Sequence, residues 1–422
     1  MITLSKYAGK RICVAVSGGK DSMALLYFLK TRGGQFDITV CALNCNHKMR
    51  PQTSDRDSTF VKDYCAEQNI PLLYFEWETD AKKTERSARE WRLECYERAL
   101  RESNADFIAT AHHMNDNAET VLFNLARGSS LSGLTGICDG GHIIRPLIGC
   151  TRAQIDAYVL ENNIPFVEDE TNFTDDYTRN KIRHNVLPEF EKAVPEATKA
   201  IYRFSRLAME DEQYFEDVIS ERGIITRQDG GVHIKLCEEK VIFRRAVVKV
   251  IKEVFKKKDY TSATADRLYE LQFVGNGKRY EFLGLTAFCE NGGIVIAESG
   301  DTPQMQIPFQ GLAEYAFGQY SLVFTACPPE GQALKFDLDK IPPRAVIRTM
   351  KTGDKFTKFG GGTKSLGDWF TDKKIPVRLR GEIPLVADGE NILIVCGYEI
   401  SDNVKVTKNT HNILYALCAR NE

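Results

Sequence analysis

What this chain lacks narrows the field first. None of its twelve cysteines pairs with another as Cys-x-x-Cys, and the closest two are Cys41 and Cys45. That scatter argues against zinc ribbons, disulfide frameworks and redox dithiols. Cys13 and Cys41 fall in apolar runs and read as small core residues. No apolar run approaches the ~20 residues that cross a bilayer, and the N-terminus enters an apolar strand without a signal-like segment. A reducing cytoplasm and no membrane partner are expected. Neither sign of charge is in excess: 56 Lys and Arg face 58 Asp and Glu, for a net charge of −2. The whole molecule therefore does not attract a polyanion, and any basic surface must be local. A length of 422 residues with 43% apolar content is enough for two or three domains with ordinary cores.

What is present starts at Arg11–Val16, an apolar β-branched run that stops at Ser17-Gly18-Gly19-Lys20-Asp21-Ser22 and opens into a helical stretch, Met23–Lys30. Paired glycines let a backbone bend tightly and approach a ligand closely. The first amides of a helix lack internal partners, and the helix dipole adds positive charge there. The hydroxyls of Ser17 and Ser22 and the cation of Lys20 complete a socket for a phosphate chain. The spacing fits neither the Walker loop nor GxGxxG; the bland alternative is a turn that merely caps a helix, and strand, loop and helix in the right order favour the socket.

Strand-like and helical runs then alternate. Strands are expected at 37–44, 71–75, 105–111 and 143–146, and helices at 54–68, 87–102, 115–126 and 151–162, the last capped by Thr151. Continuous apolar strands between helices imply a doubly wound, mostly parallel sheet, with ligands beyond the carboxyl ends of its strands. Unusual residues fall at those ends: Asn46-His47-Lys48-Met49-Arg50 after the second strand, and His112-His113-Met114-Asn115-Asp116 with Glu119 after the fourth. Adjacent histidines on a strand point to opposite faces, so one metal site for both is disfavoured. Asp116 and Glu119 share a helix face and suit a cationic substrate, with Asp116 helping to hold Mg²⁺; acids that complement a helix dipole are the ordinary alternative. Farther on, Glu168-Asp169-Glu170-Thr171-Asn172 precedes Arg179 and Arg183, four apart on a helix, where a solvated face is the default.

Beyond Pro188 the alternation ends. Helical spacing recurs over 200–219 and 238–255. Arg244 and Arg245 lie on the second of these, and Lys256-Lys257-Lys258 follows it. Residues 301–335 are rich in Pro, Gly and Gln and read as a connection. A small strand-rich domain is expected from 336 to 422. Its 344–380 stretch carries ten cationic side chains against three aspartates, among them Arg348, Lys355, Lys364, Lys373, Lys374 and Arg380. Trp369, Phe370, Phe356 and Phe359 are interleaved, a pattern suited to a phosphate backbone and unstacked bases. The two aromatics at 369 and 370 are expected mostly in the core.

SGGKDS resembles the PP-loop of the ATP pyrophosphatase superfamily. Together with NHKMR, AHHMNDNAET followed by RG, RPL, DETN and RNKIR, in this order, it is similar to the tRNA(Ile)-lysidine synthetase family over 11 to about 190, and more weakly to the C-terminus. Asn46 stands where that family carries an aspartate, so position 46 is given no metal role. The resemblance implies a PP-loop catalytic domain over 1–190, a mainly helical tRNA-binding domain over 191–300, the connection 301–335, and an α+β tRNA-binding module over 336–422.

It also implies a reaction. ATP adenylylates C2–O of the first anticodon cytidine of a CAU-anticodon isoleucine tRNA, and the ε-amine of free L-lysine then displaces AMP. Ser17, Gly18, Gly19, Lys20, Asp21, Ser22, His47 and Arg50 would bind ATP, with Arg89 and Arg92 as further contacts. Asp21 and Asp116 would hold Mg²⁺. Asp116 and Glu119 would take the lysine ammonium, and Arg179 or Arg183 its carboxylate. His112 or His113 would serve as base, alongside Lys20, Asp21 and Asp116 as the catalytic set. The basic residues at 244, 245, 348, 355, 364, 373, 374 and 380 would hold tRNA, and a homodimer is among the assemblies allowed. The rivals are a PP-loop tRNA thiolase, an amidation ligase, and a non-catalytic RNA-binding protein.

Overall fold

The computed structural model describes residues 4–48, 51–77, 84–168, 178–228, 230–290, 292–300 and 304–421. It divides into two compact units, Met1–Tyr214 and Phe215–Glu422.

The first unit alternates as the sequence predicts: β1 Arg11–Ala15, α1 Lys20–Arg32, β2 Thr39–Asn46, α2 Pro51–Glu67, β3 Leu72–Glu76, α3 Glu85–Ser103, β4 Phe107–Ala109, α4 Met114–Ala126, a single turn α5 Leu131–Leu134, β5 Ile143–Ile144 and α6 Arg152–Glu161. All five strands pair in parallel, in the order β3-β2-β1-β4-β5. Ile12, Val14, Leu25 and Leu26 pack in the core on one face of the sheet, and Cys13, Cys41, Cys95 and Ile108 pack on the other. This two-sided burial is why the strands read as unbroken apolar runs. Strand order reverses between β1 and β4, which opens a crevice beyond their carboxyl ends. Thr151 caps α6 through the Gln154 amide, in a reciprocal capping box. The unit continues through α7 Thr178–Lys181, a π-helical turn Ile182–Val186, α8 Leu187–Ala193 and the start of α9 Ala197–Glu221.

The second unit departs from expectation in two places. The segment read as mainly helical does carry α10 Lys240–Lys249, a second π turn Val250–Val254 and α11 Ser262–Leu271. It also carries a five-stranded antiparallel sheet, ordered β6-β7-β10-β9-β8 and built from β6 Ile225–Gln228, β7 Gly231–Lys235, β8 Arg279–Phe282, β9 Leu285–Cys289 and β10 Gly293–Glu298. The stretch expected to be a plain connection holds three more strands, β11 Gln306–Pro308, β12 Ala313–Phe317 and β13 Tyr320–Thr325. In β13 every second side chain is buried, a period-two pattern that outweighs the surrounding Pro and Gly.

The remainder, β14 Leu334–Asp337, β15 Val346–Arg348, β16 Lys355–Thr357, β17 Thr363–Ser365, α12 Leu366–Asp372, α13 Val377–Arg380, β18 Leu385–Asp388, β19 Asn391–Val395, β20 Glu399–Ile400 and β21 Ile413–Arg420, completes two sheets. One runs β11-β15-β18-β19-β16-β17 with β20 on β19, the other β12-β13-β21-β14. Trp369, Phe370 and Phe356 are fully buried together, as expected of a small core. No helix among the described residues is long and apolar enough to cross a membrane.

Candidate active site

The phosphate loop sits between β1 and α1. Gly18 has φ +89°, a conformation that side chains with a Cβ rarely adopt, and a Cβ there would already touch the Asp57 carbonyl oxygen at 3.4 Å. The loop is braced from within. The Ser17 amide donates to the Ser22 hydroxyl at 3.2 Å, and that hydroxyl donates to the Gly19 carbonyl at 2.8 Å. The Gly19 amide donates to the Ser17 hydroxyl at 3.3 Å. Ser22 therefore braces the loop from within. Gly19 caps α1 without a side-chain hydrogen bond, which leaves the first-turn amides for an anion. From outside, the Val167 amide donates to the Gly18 carbonyl at 2.9 Å. The Lys20 ammonium donates to Asp156 on α6 at 2.7 Å and lies 5.4 Å from the Phe166 ring centre.

The other lip is the start of α4. His113 is its N-cap, buried to 1% exposure, with Nδ1 accepting from the Asn115 amide at 3.2 Å. Its Nε2 lies 3.4 Å from Asp116 Oδ2 and 3.7 Å from Asp21 Oδ2. Burial pulls the imidazole pKa down, but the Asp21 and Asp116 carboxylates outweigh it and raise the pKa above its ordinary value. Asp21 is the mirror case: burial pushes its carboxyl up, and His113, Arg152 and Lys20 together bring it below the usual range. His112 instead meets Thr110 Oγ1 through Nδ1 at 3.0 Å and lines the cleft. Burial lowers its pKa, against a smaller upward pull from Asp116. The two histidines thus diverge: one is held between carboxylates, the other is kept neutral and open.

Asp116, Glu119 and Arg183 converge. Arg183, on the π turn, donates from Nε to Glu119 at 2.7 Å and from NH2 to Asp116 at 2.8 Å and to Glu119 at 3.0 Å. The Asp116 and Glu119 carboxylates and the Arg183 guanidinium, expected to take opposite ends of an amino acid, here form a paired trio. Opposite charges on adjoining elements in a partly dry cleft neutralise each other when no ligand intervenes. NH1 of Arg183 has no partner among the described residues. Burial raises the Glu119 pKa despite Arg183.

These groups line one cleft of about 780 Å³ with His47, Arg92, Arg152, Phe166, His184 and Glu191. Arg152, Phe166 and Glu191 escape sequence reasoning, because only the fold brings α6, the 164–168 segment and α8 to this edge. Asn46 is buried and its side-chain amide donates to Asp55 at 2.7 Å and to the Tyr74 hydroxyl at 3.2 Å. Arg50 lies outside the described residues, as does the side chain of Arg179. No group of three or more His, Cys, Asp or Glu among the described residues is disposed to hold a metal alone. Asp21 Oδ1, however, is buried without a hydrogen-bond partner, and Asp21 and Asp116 both face His113. One or two carboxylates plus substrate phosphates are the usual protein share of a Mg²⁺ site, so the residues fit that ion.

In the second unit the expected tRNA-contacting cations separate into two groups. Arg348 does not qualify. It is 2% exposed and fully engaged by Asp354 at 2.6 and 2.8 Å and by the Thr349 and Gly389 carbonyls. Arg380 is half-buried and donates to the Ile375 carbonyl at 2.9 Å. Arg244 pairs with Asp266, and Arg245 lies over the Phe215 ring at 3.8 Å. Lys355 pairs with Glu390 at 3.0 Å, Lys373 with Glu399 at 2.6 Å, and Lys364 shares Asp372 with Lys358. Lys355, Lys373 and Lys374 remain exposed. Phe359 is 51% exposed at the tip of the β16–β17 hairpin, beside Gly360, Gly361 and Gly362, all at positive φ.

Residues 2–190 match the model of a PP-loop domain, and residues 345–417 match that of the TilS substrate C-terminal domain. A protein of Caldanaerobacter subterraneus subsp. tengcongensis named tRNA(Ile)-lysidine synthase is 31% identical, over 98% of this chain and 95% of its own length. Proteins of the same name from Bacteroides thetaiotaomicron and Thermotoga maritima are 29% and 30% identical, over 96% and 93% of this chain and 94% and 92% of theirs.

Proposed function

Because the chain belongs to the tRNA(Ile)-lysidine synthase family, we propose that it joins free L-lysine to C2 of the wobble cytidine of a CAU-anticodon isoleucine tRNA at the expense of ATP. One observation carries this reading: the phosphate loop and the Asp116–Glu119–Arg183 trio face a single cleft at the sheet's switch point. A nucleotide and an amino acid can both be held there.

A cytosine C2 carbonyl is a poor electrophile with no leaving group. Attack by its oxygen on the α-phosphorus of ATP breaks the bond to the β-phosphate bridge and releases pyrophosphate. The Ser17–Lys20 loop holds that end of the nucleotide, with His47 and Arg92 beside it. The lysine ε-amine then bonds to C2, the C2–O bond breaks, and AMP leaves. The amine's proton goes to a base, and His112, kept neutral and open to the cleft, suits the role better than His113. Mg²⁺ held by Asp21 and Asp116 would neutralise charge on the phosphates. The α-ammonium of lysine would sit against Asp116 and Glu119 beside Arg183, whose free NH1 would receive the α-carboxylate. Surface cations of 191–300 and 336–422, Lys355, Lys364, Lys373 and Lys374 foremost, would hold tRNA, leaving catalysis to 1–190. The cytoplasm is the compartment that holds these substrates.

The decisive assay combines the protein with ATP, Mg²⁺, radiolabelled lysine and bulk bacterial tRNA. Label in the tRNA, with one AMP per lysine, is the expected outcome. ATP turnover without label would point to another PP-loop chemistry. RNA binding without turnover would leave only a binding protein.

A further inference from the structure

Two of the four Lys and Arg side chains that line the cleft, Lys20 and Arg183, are already paired with carboxylates. Lys20 is bound to Asp156, Arg183 is shared by Asp116 and Glu119, and His113 lies between Asp21 and Asp116. Each is already balanced by a carboxylate, yet a nucleotide triphosphate is a polyanion. Arg152 is not balanced in this way, and unlike the exposed Arg92 it is half-buried. It opens α6, half-buried, and lines the cleft with Lys20, Asp21 and Asn115. Its backbone is pinned: the Arg152 amide donates to the Asn115 side chain at 3.0 Å, which ties α6 to the start of α4. Its guanidinium has no hydrogen bond or ion pair among the described residues. It is near enough to Asp21 and His113 for its charge to bear on both.

A half-buried guanidinium in a cleft is costly to leave without an anion, and a planar fork suits phosphate oxygens better than a point charge does. We propose that Arg152 contacts the phosphate chain of ATP directly and is a catalytic residue that nothing in the PP-loop sequence itself marks. It grips the phosphates from the α6 side, opposite the loop amides. With Arg152 engaged on the nucleotide, Asp156 serves as the resting partner of Lys20, released when the phosphates arrive. This inference rests on the ATP-dependent reading above.

The test measures equilibrium binding of ATP and of adenosine, both with Mg²⁺, to the full chain and to Arg152→Ala and Arg152→Lys. Removing a charge-assisted hydrogen bond predicts ATP binding weakened about 10- to 100-fold in Arg152→Ala, with adenosine binding unchanged within about twofold. Arg152→Lys, which keeps the charge but not the fork, should fall between. Should Arg152→Ala fail to fold, Arg152→Gln carries the same comparison. Unchanged ATP affinity, or equal losses for ATP and adenosine, overturns the assignment. If the unaltered chain binds no ATP, the ATP-dependent reading itself falls, and Arg152's role with it.

Discussion

Arg348 and Asp354 show how far a residue's type can mislead about its task. In a stretch so rich in cations, Arg348 reads as an RNA contact, but the fold buries it and gives it a forked carboxylate and two carbonyls. Removing one member of such a pair leaves an uncompensated buried charge. Arg348→Met should therefore lower unfolding free energy by roughly 3–5 kcal/mol, read by urea denaturation. The tRNA affinity of the folded fraction should stay unchanged; a selective loss of RNA binding without destabilisation would contradict this placement. Burial decides between the two roles, and neither periodicity nor charge density marks burial at Arg348. The same limit hides the Lys20–Asp156 pair, whose members are far apart in the chain and carry no shared motif.

The alternating elements of the first unit are legible because each strand is buried on both faces and helix starts are marked by side chains the sequence displays, such as Thr151. The sheet of the second unit is less so. Its strands are short, and the outer strand β6 buries none of its side chains fully, so no period stands out. At α4 the sequence shows two histidines, and only the helix start assigns them. His113 caps the helix while its Nε2 faces two carboxylates. The cap bond to Nδ1 opposes a second proton and the carboxylates favour it, with the net pKa raised. A raised imidazole pKa stabilises the fold fully below the unfolded value and is lost as pH climbs through the folded one. Thermal melts from about pH 6 to 9 should show the parent losing stability above the ordinary imidazole value of about 6.5. His113→Asn, which keeps a capping oxygen but no titratable charge, should lack that component of the slope. Identical slopes in the two proteins would mean His113 stays neutral.

At the scale of the whole molecule, a chain of net charge −2 must bind a polyanion through a local surface. Lys364→Glu with Lys374→Glu should weaken tRNA binding and flatten its dependence on salt, by roughly one unit of log–log slope for each phosphate no longer neutralised. Filter binding across a salt series measures this, and an unchanged slope would remove those lysines from the interface. AMP formation measured with saturating tRNA should persist in the same variant, since both positions lie outside the PP-loop domain.

Strand β21 lies between β13 and β14, with residues 415–420 paired to β13 and residues 413–416 to β14. On the ribosome, residues 320–325 therefore emerge long before the partner that will cover their open edge, and much of the intervening chain must be made first. An uncovered strand edge invites pairing with other nascent chains. The cost of this topology thus falls during translation, when chaperone supply and elongation rate, rather than the stability of the finished fold, set how much active protein a cell obtains.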